Sequence, residues 1–363
     1  MLLKYAPRLL VKHLAGRSGG GHASCTRFDG VVLFVDIVES TALTEDFGKS
    51  GSDGAERLAT VLDEYFGRII EIAEAYGGDT FKIDGDAVVI LWYPEETSLS
   101  APLPVVRAAA AALSIQREFR QGPVFAGVVL QNRMTLVAGR ISFVVVSEVA
   151  GRSYAVVDGL PIRELGDPRL RGMPGQIVVS REAQSLLQFT ATIASTPAGP
   201  HELLGLYDGV DDQFSAAPAR TAAPSDSGLE SRVRPFVPRV IVDRTAAGQS
   251  DWIAEFRKLT VIYVNLPGLD PSASDIAIRV QDAVRKIAAV VNPMGIPISN
   301  VVAGDKGFIV QIACVGCCPS NEHVVASTAL DQKIESDVGL PVDIRTQRFR
   351  ARQLHQGRRL CRP

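Results

Sequence analysis

The sequence predicts an α+β protein built from two copies of one unit, each an antiparallel-rich sheet with helices packed on it. Three observations lead there. Short Val- and Ile-rich runs, too short for helices, alternate with longer segments whose apolar residues recur at helical spacing. A Gly-Asp turn joins two of the short runs into a hairpin, and the same succession of elements begins again near residue 257. At 363 residues the chain can bury two cores without disulfides, and 46% hydrophobic against 21% charged residues excludes the composition of a disordered chain.

Taken in order, MLLKYAPRLLVKHLAG carries basic residues and an apolar face, breaks at Pro7 and lacks a secretory h-region, so residues 1–29 read as a docking segment. An organellar transit peptide is the alternative. GVVLFVD (30–36) is a buried strand that ends in a carboxylate. GAERLATVLDEYFGRIIEIAEAYGG (54–78) places Leu58, Val61, Leu62, Tyr65, Ile69, Ile70 and Ile72 on one helical stripe and stops at Gly77-Gly78. FKIDGDAVVILWY reads as two strands about a tight turn at Asp84-Gly85, with Asp86 on its tip. An alanine-rich helix (about 103–119) follows, then strands at MTLVAG, ISFVVV, SYAVVD and QIVVS. Strand, helix, hairpin, helix, strand is the order of a ferredoxin-like sheet, and the first unit spans 30–184.

Residues 185–256 are rich in Pro, Ala, Ser and Gly and read as a linker. The second unit (257–345) opens with the strand RKLTVIYVNLPG, continues with the amphipathic helix DIAIRVQDAVRKIAAVVNPMG and ends with the hairpin NVVAGDKGFIVQIACVG. Where the first unit has Asp36, this reading places Asn265 in the second. From Thr346 onward TQRFRARQLHQGRRLCRP has no acidic residue and no apolar period. Residues 346–363 therefore read as an aberrant basic tail on a truncated second unit, with a nucleic-acid-binding tail as the alternative.

Net charge is −2, so no global basic field argues for nucleic acid or an anionic membrane. No stretch approaches the roughly 20 apolar residues of a membrane span. Cys25, Cys314, Cys317, Cys318 and Cys361 are odd in number, which fits free thiols in a reducing, cytoplasmic setting. A metal site at Cys314, Cys317 and Cys318 finds only His323 as a fourth ligand nearby. The five histidines show no ligand spacing, and Gly48-Lys49-Ser50 lacks the leading glycine of a phosphate loop, since that position is Leu43.

The chemistry concentrates on Asp36 and Asp86. Neighbouring strands lie about 4.8 Å apart, so carboxylates at facing strand ends can share divalent cations. Between them IVESTALT (37–44) leads into a helix whose free N–H groups, with the hydroxyls of Ser40 and Thr41, can hold phosphate oxygens. The competing reading makes Asp36 a helix cap and Asp86 a turn residue.

FDGVVLFVDIVESTALTEDFG together with YGGDTFKIDGDAVVILW resembles the first catalytic domain of soluble adenylyl cyclases, of the class III nucleotidyl cyclase family. The likeness covers roughly 1–183 and, weakly, 257–345. It implies a pseudo-heterodimer of two cyclase domains that converts ATP to 3′,5′-cyclic AMP and pyrophosphate with two Mg²⁺ ions, Mn²⁺ being able to substitute. It places the metals on Asp36, the Ile37 carbonyl and Asp86, and the triphosphate against Val38, Glu39, Ser40 and Thr41. Lys306 falls on the position that recognises adenine, and Lys82 with Val157 on a bicarbonate pocket. Three departures stand beside these matches. Glu39 replaces a glycine, Gly166 stands where the family has an arginine toward bicarbonate, and the second unit stops before the family's asparagine and transition-state arginine. The chain as given is then expected to be weak or inactive, and active once its second unit is complete or supplied by a complementing cyclase chain; the alternative is a non-catalytic nucleotide-binding regulatory relic.

Overall fold

Strands that are apolar on both faces need cover on both, and the arrangement of helices follows from that demand. The computed structural model describes residues 2–16, 22–94, 103–120, 122, 124–194, 200–209, 228–248, 256–315 and 342–352. In chain order the elements are α1 (Arg8–Ala15), β1 (Ser24–Ile37), α2 (Ser40–Gly48), α3 (Gly51–Ala75), β2 (Asp79–Asp84), β3 (Ala87–Trp92), α4 (Pro104–Arg120), the short pair β4 (Val124–Phe125) and β5 (Val128–Val129), β6 (Asn132–Val149), β7 (Arg152–Gly159), α5 (Leu160–Glu164), β8 (Ile177–Val179), α6 (Arg181–Leu187), β9 (Ala191–Ala194), β10 (His201–Leu206), α7 (Leu229–Val233), α8 (Arg239–Ala246), β11 (Phe256–Leu266), α9 (Ile276–Val291), β12 (Ile298–Gly304), β13 (Gly307–Val315) and β14 (Asp343–Arg352). The fold is α+β.

One sheet runs β2-β3-β1-β6-β8-β10-β9 with β7 on β6, and a second runs β12-β13-β11-β14. Among the described residues every pairing is antiparallel except β6 with β8. On β1, Val31, Leu33, Val35 and Ile37 point into a core shared with α3 and α4, where Leu58, Val61, Leu62, Tyr65 and Ile69 form the predicted stripe. Val32 faces the opposite side, into a core that α1, α7 and α8 close. Val144, Val146, Tyr154 and Val156, on β6 and β7, enter a third core with α9 and the second sheet. The two sheets therefore share apolar contact, reinforced where Arg27 Nε and Ser142 Oγ donate to the Pro271 carbonyl at 3.2 and 2.9 Å.

The stop of α3 is a paired backbone cap. Gly77 at φ +81° donates to the Glu74 carbonyl and Gly78 to that of Ala73, which satisfies carbonyls the helix leaves open. The chain then enters β2 at once.

Several boundaries differ from those read in the sequence. The first strand begins at Ser24 and not at 30, because Ser24–Asp29 complete a fourteen-residue register with β6. MTLVAG and ISFVVV form one strand, β6, through Gly139 at φ +148°. Residues 185–256 contain β9, β10, α7 and α8, and bury Leu203, Leu229, Val233, Val237, Ile241 and Val242. Their apolar residues complete faces built by other segments, so they show no period of their own. The stretch 210–227, the richest in Pro and Ala, lies outside the described residues, as do Cys317, Cys318, Cys361 and His323. The basic tail read from 346 begins inside β14, whose backbone pairs with β11 as far as Arg352 opposite Phe256. Ladder hydrogen bonds come from the main chain, so a strand on one edge needs no apolar alternation to form. Among the described residues no helix is long and apolar enough to cross a membrane.

Candidate functional site

Asp36 is the penultimate residue of β1, and the antiparallel register sets it between two neighbours, Ala87 on β3 and Arg133 on β6. Asp86 occupies the tip of the β2–β3 hairpin beside Gly85, whose φ of +64° makes the two-residue turn possible. The Ile37 N–H donates to the Asp86 carbonyl at 3.1 Å, which ties the hairpin tip to the end of β1, and the Val38 N–H donates to the Gln131 carbonyl at 2.9 Å, just before β6. The Ser40 hydroxyl donates to the Asp86 carboxylate. Asp36, Ile37, Ser40 and Asp86 are thus brought to one place.

Arg133 was not among the residues read from the sequence. Its Nε donates to Asp36 Oδ2 at 2.8 Å and its Nη2 to the same oxygen, while the Asp36 side chain is only 13% exposed. Burial is the largest influence on Asp36 and pushes its carboxyl above the usual carboxylate range. The charge of Asp86 acts in the same direction, and Arg133, with Arg171, opposes them without prevailing. No local signal in QNRMTL marks Arg133; only the register that sets it opposite Asp36 does.

Glu39 stands in the left-handed region at φ 59°, exposed, and makes no capping hydrogen bond at the start of α2. A glycine adopts that conformation without steric cost, whereas a glutamate does not. The conformation supplies the physical reason for the glycine expected there. Thr41 is exposed on the first turn of α2, and Ser40 is already engaged by Asp86.

The donor set suits a hard divalent cation. Two carboxylates and the main-chain oxygen of Ile37 are oxygen ligands of the kind Mg²⁺ and Mn²⁺ prefer, with substrate oxygens and water to complete the shell. Among the described residues no group of three or more His, Cys, Asp or Glu side chains gathers as a metal site.

The other predicted residues are dispersed. Lys82 Nζ is paired with Asp84, and Val157 is buried in the core closed by α1, α7 and α8. Gly166 has no room for a side chain, since a Cβ there would lie 2.6 Å from Asp305 Cβ. Of the nearby arginines, Arg163 is held by Asp158 at 3.1 Å and by the Leu269 carbonyl at 3.3 Å, and Arg169 by Asp167. Lys82, Arg163 and Arg169 are each paired with a carboxylate. Lys306 is exposed on the β12–β13 tip and makes no hydrogen bond or ion pair with a described residue. Its neighbour Asp305 packs against Gly166. Asn265, like Asp36, is the penultimate residue of its strand, but the two differ in their place against the hairpin. Asp36 lies opposite the first residue after its hairpin tip, but Asn265 lies opposite Ile309, the third after the tip formed by Asp305 and Lys306. Asn265 instead donates to the Asp343 carbonyl at 2.8 Å.

No protein-family model matches the chain. Adenylate cyclase type 10 of Homo sapiens is 26% identical over 330 residues, 82% of this chain and 20% of that protein. The same enzyme of Rattus norvegicus is 25% identical over 306 residues, 77% of this chain and 19% of that protein. A class III adenylyl cyclase-like ATP-binding protein from Pseudomonas aeruginosa has the same fold, with a TM-score of 0.55 at 14% identity over 90% of this chain and 76% of that one. The chain is a relative of the class III nucleotidyl cyclases. It spans about one fifth of the length of the curated cyclases it matches. The family resemblance drawn from FVDIVES and KIDGDAVVILW is upheld, as is the α+β class of a cyclase-type fold.

Proposed function

We propose that the chain binds ATP with a divalent cation at the end of β1 and converts it slowly to 3′,5′-cyclic AMP and pyrophosphate. The observation that carries this reading is the meeting of Asp36, Asp86 and the Ile37 main chain at one point, from strands far apart in sequence. A bound cation would neutralise phosphate charge and make the ribose 3′-hydroxyl more acidic. The residues of the chain do the positioning: Asp36 and Asp86 face the cation, and the first turn of α2 presents N–H groups and Thr41 to phosphate oxygens. In the reaction the 3′ oxygen replaces pyrophosphate on the α-phosphorus and its proton passes to water, so no water is consumed.

Two features argue for slow turnover. Arg133 holds Asp36 and must yield before a cation binds there, and Glu39 puts an acid in a strained backbone position beside the phosphate turn. These same features favour a second reading, in which nucleotide is bound for regulation and turnover is lost. ATP specificity rests on Lys306 in this proposal, in a pseudo-heterodimer where the second sheet supplies the purine side. A complementing cyclase chain belongs to the same proposal, and the paired state of Lys82 and Arg163 leaves bicarbonate outside it.

The test is ATP binding and cyclic AMP production with Mg²⁺ or Mn²⁺, comparing the chain with Asp36→Ala. Cyclic AMP that disappears in the variant supports the first reading. Metal-dependent binding without product selects the second, and absence of both refutes the nucleotide reading altogether.

A further inference from the structure

The hairpin tip that carries Lys306 lies at one edge of the second sheet, where the first unit meets it. β12 is the outermost strand on that side, and Gly304 pairs with Gly307 across a two-residue turn of Asp305 and Lys306. Both neighbours of Lys306 abut α5 or the residues just after it. A Cβ on Gly166 would stand 2.6 Å from Asp305 Cβ, and one on Gly307 would stand 3.8 Å from Arg163 Nη2. The turn therefore rests against Arg163 and Gly166, one on each side of its lysine.

Arg163 is itself clamped. Its Nε and Nη2 donate to Asp158 Oδ1 and Oδ2 at 3.3 and 3.1 Å. Asp158, fully buried near the end of β7, also accepts from the Gly159 N–H at 2.7 Å. Arg163 Nη2 reaches on to the Leu269 carbonyl at 3.3 Å. Leu269 is 3% exposed, in the loop after β11 that Arg27 and Ser142 of the first unit grip at Pro271. A planar guanidinium can hold a carboxylate by two bonds and still offer an N–H to a carbonyl, whereas an ammonium is a point charge on a flexible stem. Neutralising Asp158 needs only the first of these contacts. The second crosses between the units and fixes the guanidinium where the turn leans on it.

We propose that Arg163 is a positioning residue for the purine side of the nucleotide site, a strut between β7, the loop after β11 and the β12–β13 turn that sets the place of Lys306. This rests on the nucleotide reading given above, with Lys306 on the purine side. A lysine on an exposed turn must be ordered when it binds, and that cost is subtracted from affinity. Fixing the turn beforehand removes part of it.

The experiment measures binding of ATP and, separately, of inorganic tripolyphosphate to the full chain at saturating Mn²⁺, for wild type, Arg163→Lys, Lys306→Ala and the double variant. Tripolyphosphate engages the cation and phosphate half without a purine. Arg163→Lys is expected to weaken ATP binding about tenfold, to leave tripolyphosphate affinity unchanged and to add nothing in the Lys306→Ala background. Equal losses of ATP and tripolyphosphate would mean a general loosening, and full additivity with Lys306→Ala would mean that Arg163 does not act through the lysine. Either result overturns the proposal, as does unchanged ATP affinity in Arg163→Lys. Should Arg163→Lys fail to fold, Asp158→Asn combined with Arg163→Gln, which leaves no unpaired buried charge, decides by the same comparison. Wild type without Mn²⁺-dependent ATP binding brings down the nucleotide reading, and Lys306→Ala that binds ATP as wild type does brings down its purine side; the strut falls with either.

Discussion

Asp79→Ala is expected to loosen the N-terminal helix from the hairpin strand, and the size of the effect follows from four contacts. Asp79 opens β2 and is 3% exposed. Its Oδ1 accepts from the Arg8 N–H at 2.9 Å, and its Oδ2 from the Leu9 N–H at 2.8 Å and from the Tyr93 hydroxyl at 3.1 Å, with Arg8 Nε at 3.9 Å. The first two donors are free N–H groups of α1, whose own cap position is Pro7 and supplies no side-chain oxygen. Asp79 therefore caps α1 from 71 residues away. Losing a cap costs about 1 kcal/mol, and hydrogen bonds to a charged group contribute about 1.5–3 kcal/mol. Truncation leaves buried donors behind, so the total is about 3 kcal/mol. For a unit of this size that corresponds to a fall of roughly 6–12 °C in Tm. Asp79→Asn keeps an oxygen for one helix N–H and should lose about half as much. Calorimetry measures the change, and amide exchange at Arg8 and Leu9 locates it. A melt within about 1 kcal/mol of wild type, with those two amides still protected, would refute the capping argument.

Gly78→Ala should destabilise by about 1–3 kcal/mol through overpacking, because its Cβ would sit 2.6 Å from Trp92 Cζ2 and 2.9 Å from the Ala73 carbonyl oxygen; a thermal melt with Trp92 emission reads both the loss and its location. Arg68→Gln should cost about 1 kcal/mol or less at neutral pH, since the Arg68 pair with Glu71 is exposed and that with Glu118 is partly so. Arg68 holds the Glu118 carboxyl below the usual carboxylate range. The wild type's advantage is thus complete above the ordinary carboxylate value and lost as pH falls through the lowered one, which urea melts across that interval would show as two converging curves.

Much of the first unit could be read locally. The stripe from Leu58 to Ile72 and its glycine stop are properties of neighbouring residues, and so is the hairpin turn, which closes at Gly85-Asp86, one residue beyond the Asp84-Gly85 pair read in the sequence. β9, β10, α7 and α8 were not legible, because HELLGL and RVIVDRT are short and bury single residues such as Leu203 and Ile241 on faces that other segments build. Composition drew attention to the Pro and Ala residues around them instead.

The candidate site divides in the same way. That Asp36 lies at a strand end, that Asp86 sits on a hairpin tip and that 37–44 leads from strand to helix were determined by the sequence alone, since each depends on a few adjacent residues; that the helix begins at Ser40 was not. That Arg133 holds Asp36, that Glu39 is left-handed, that Gly166 faces Asp305 and that Asn265 lies opposite Ile309 was decided only by the tertiary structure. Most of these are contacts or registers between segments distant along the chain. Cross-strand register is set by how whole faces pack, and a shift of one residue would turn every one of these side chains to the other side.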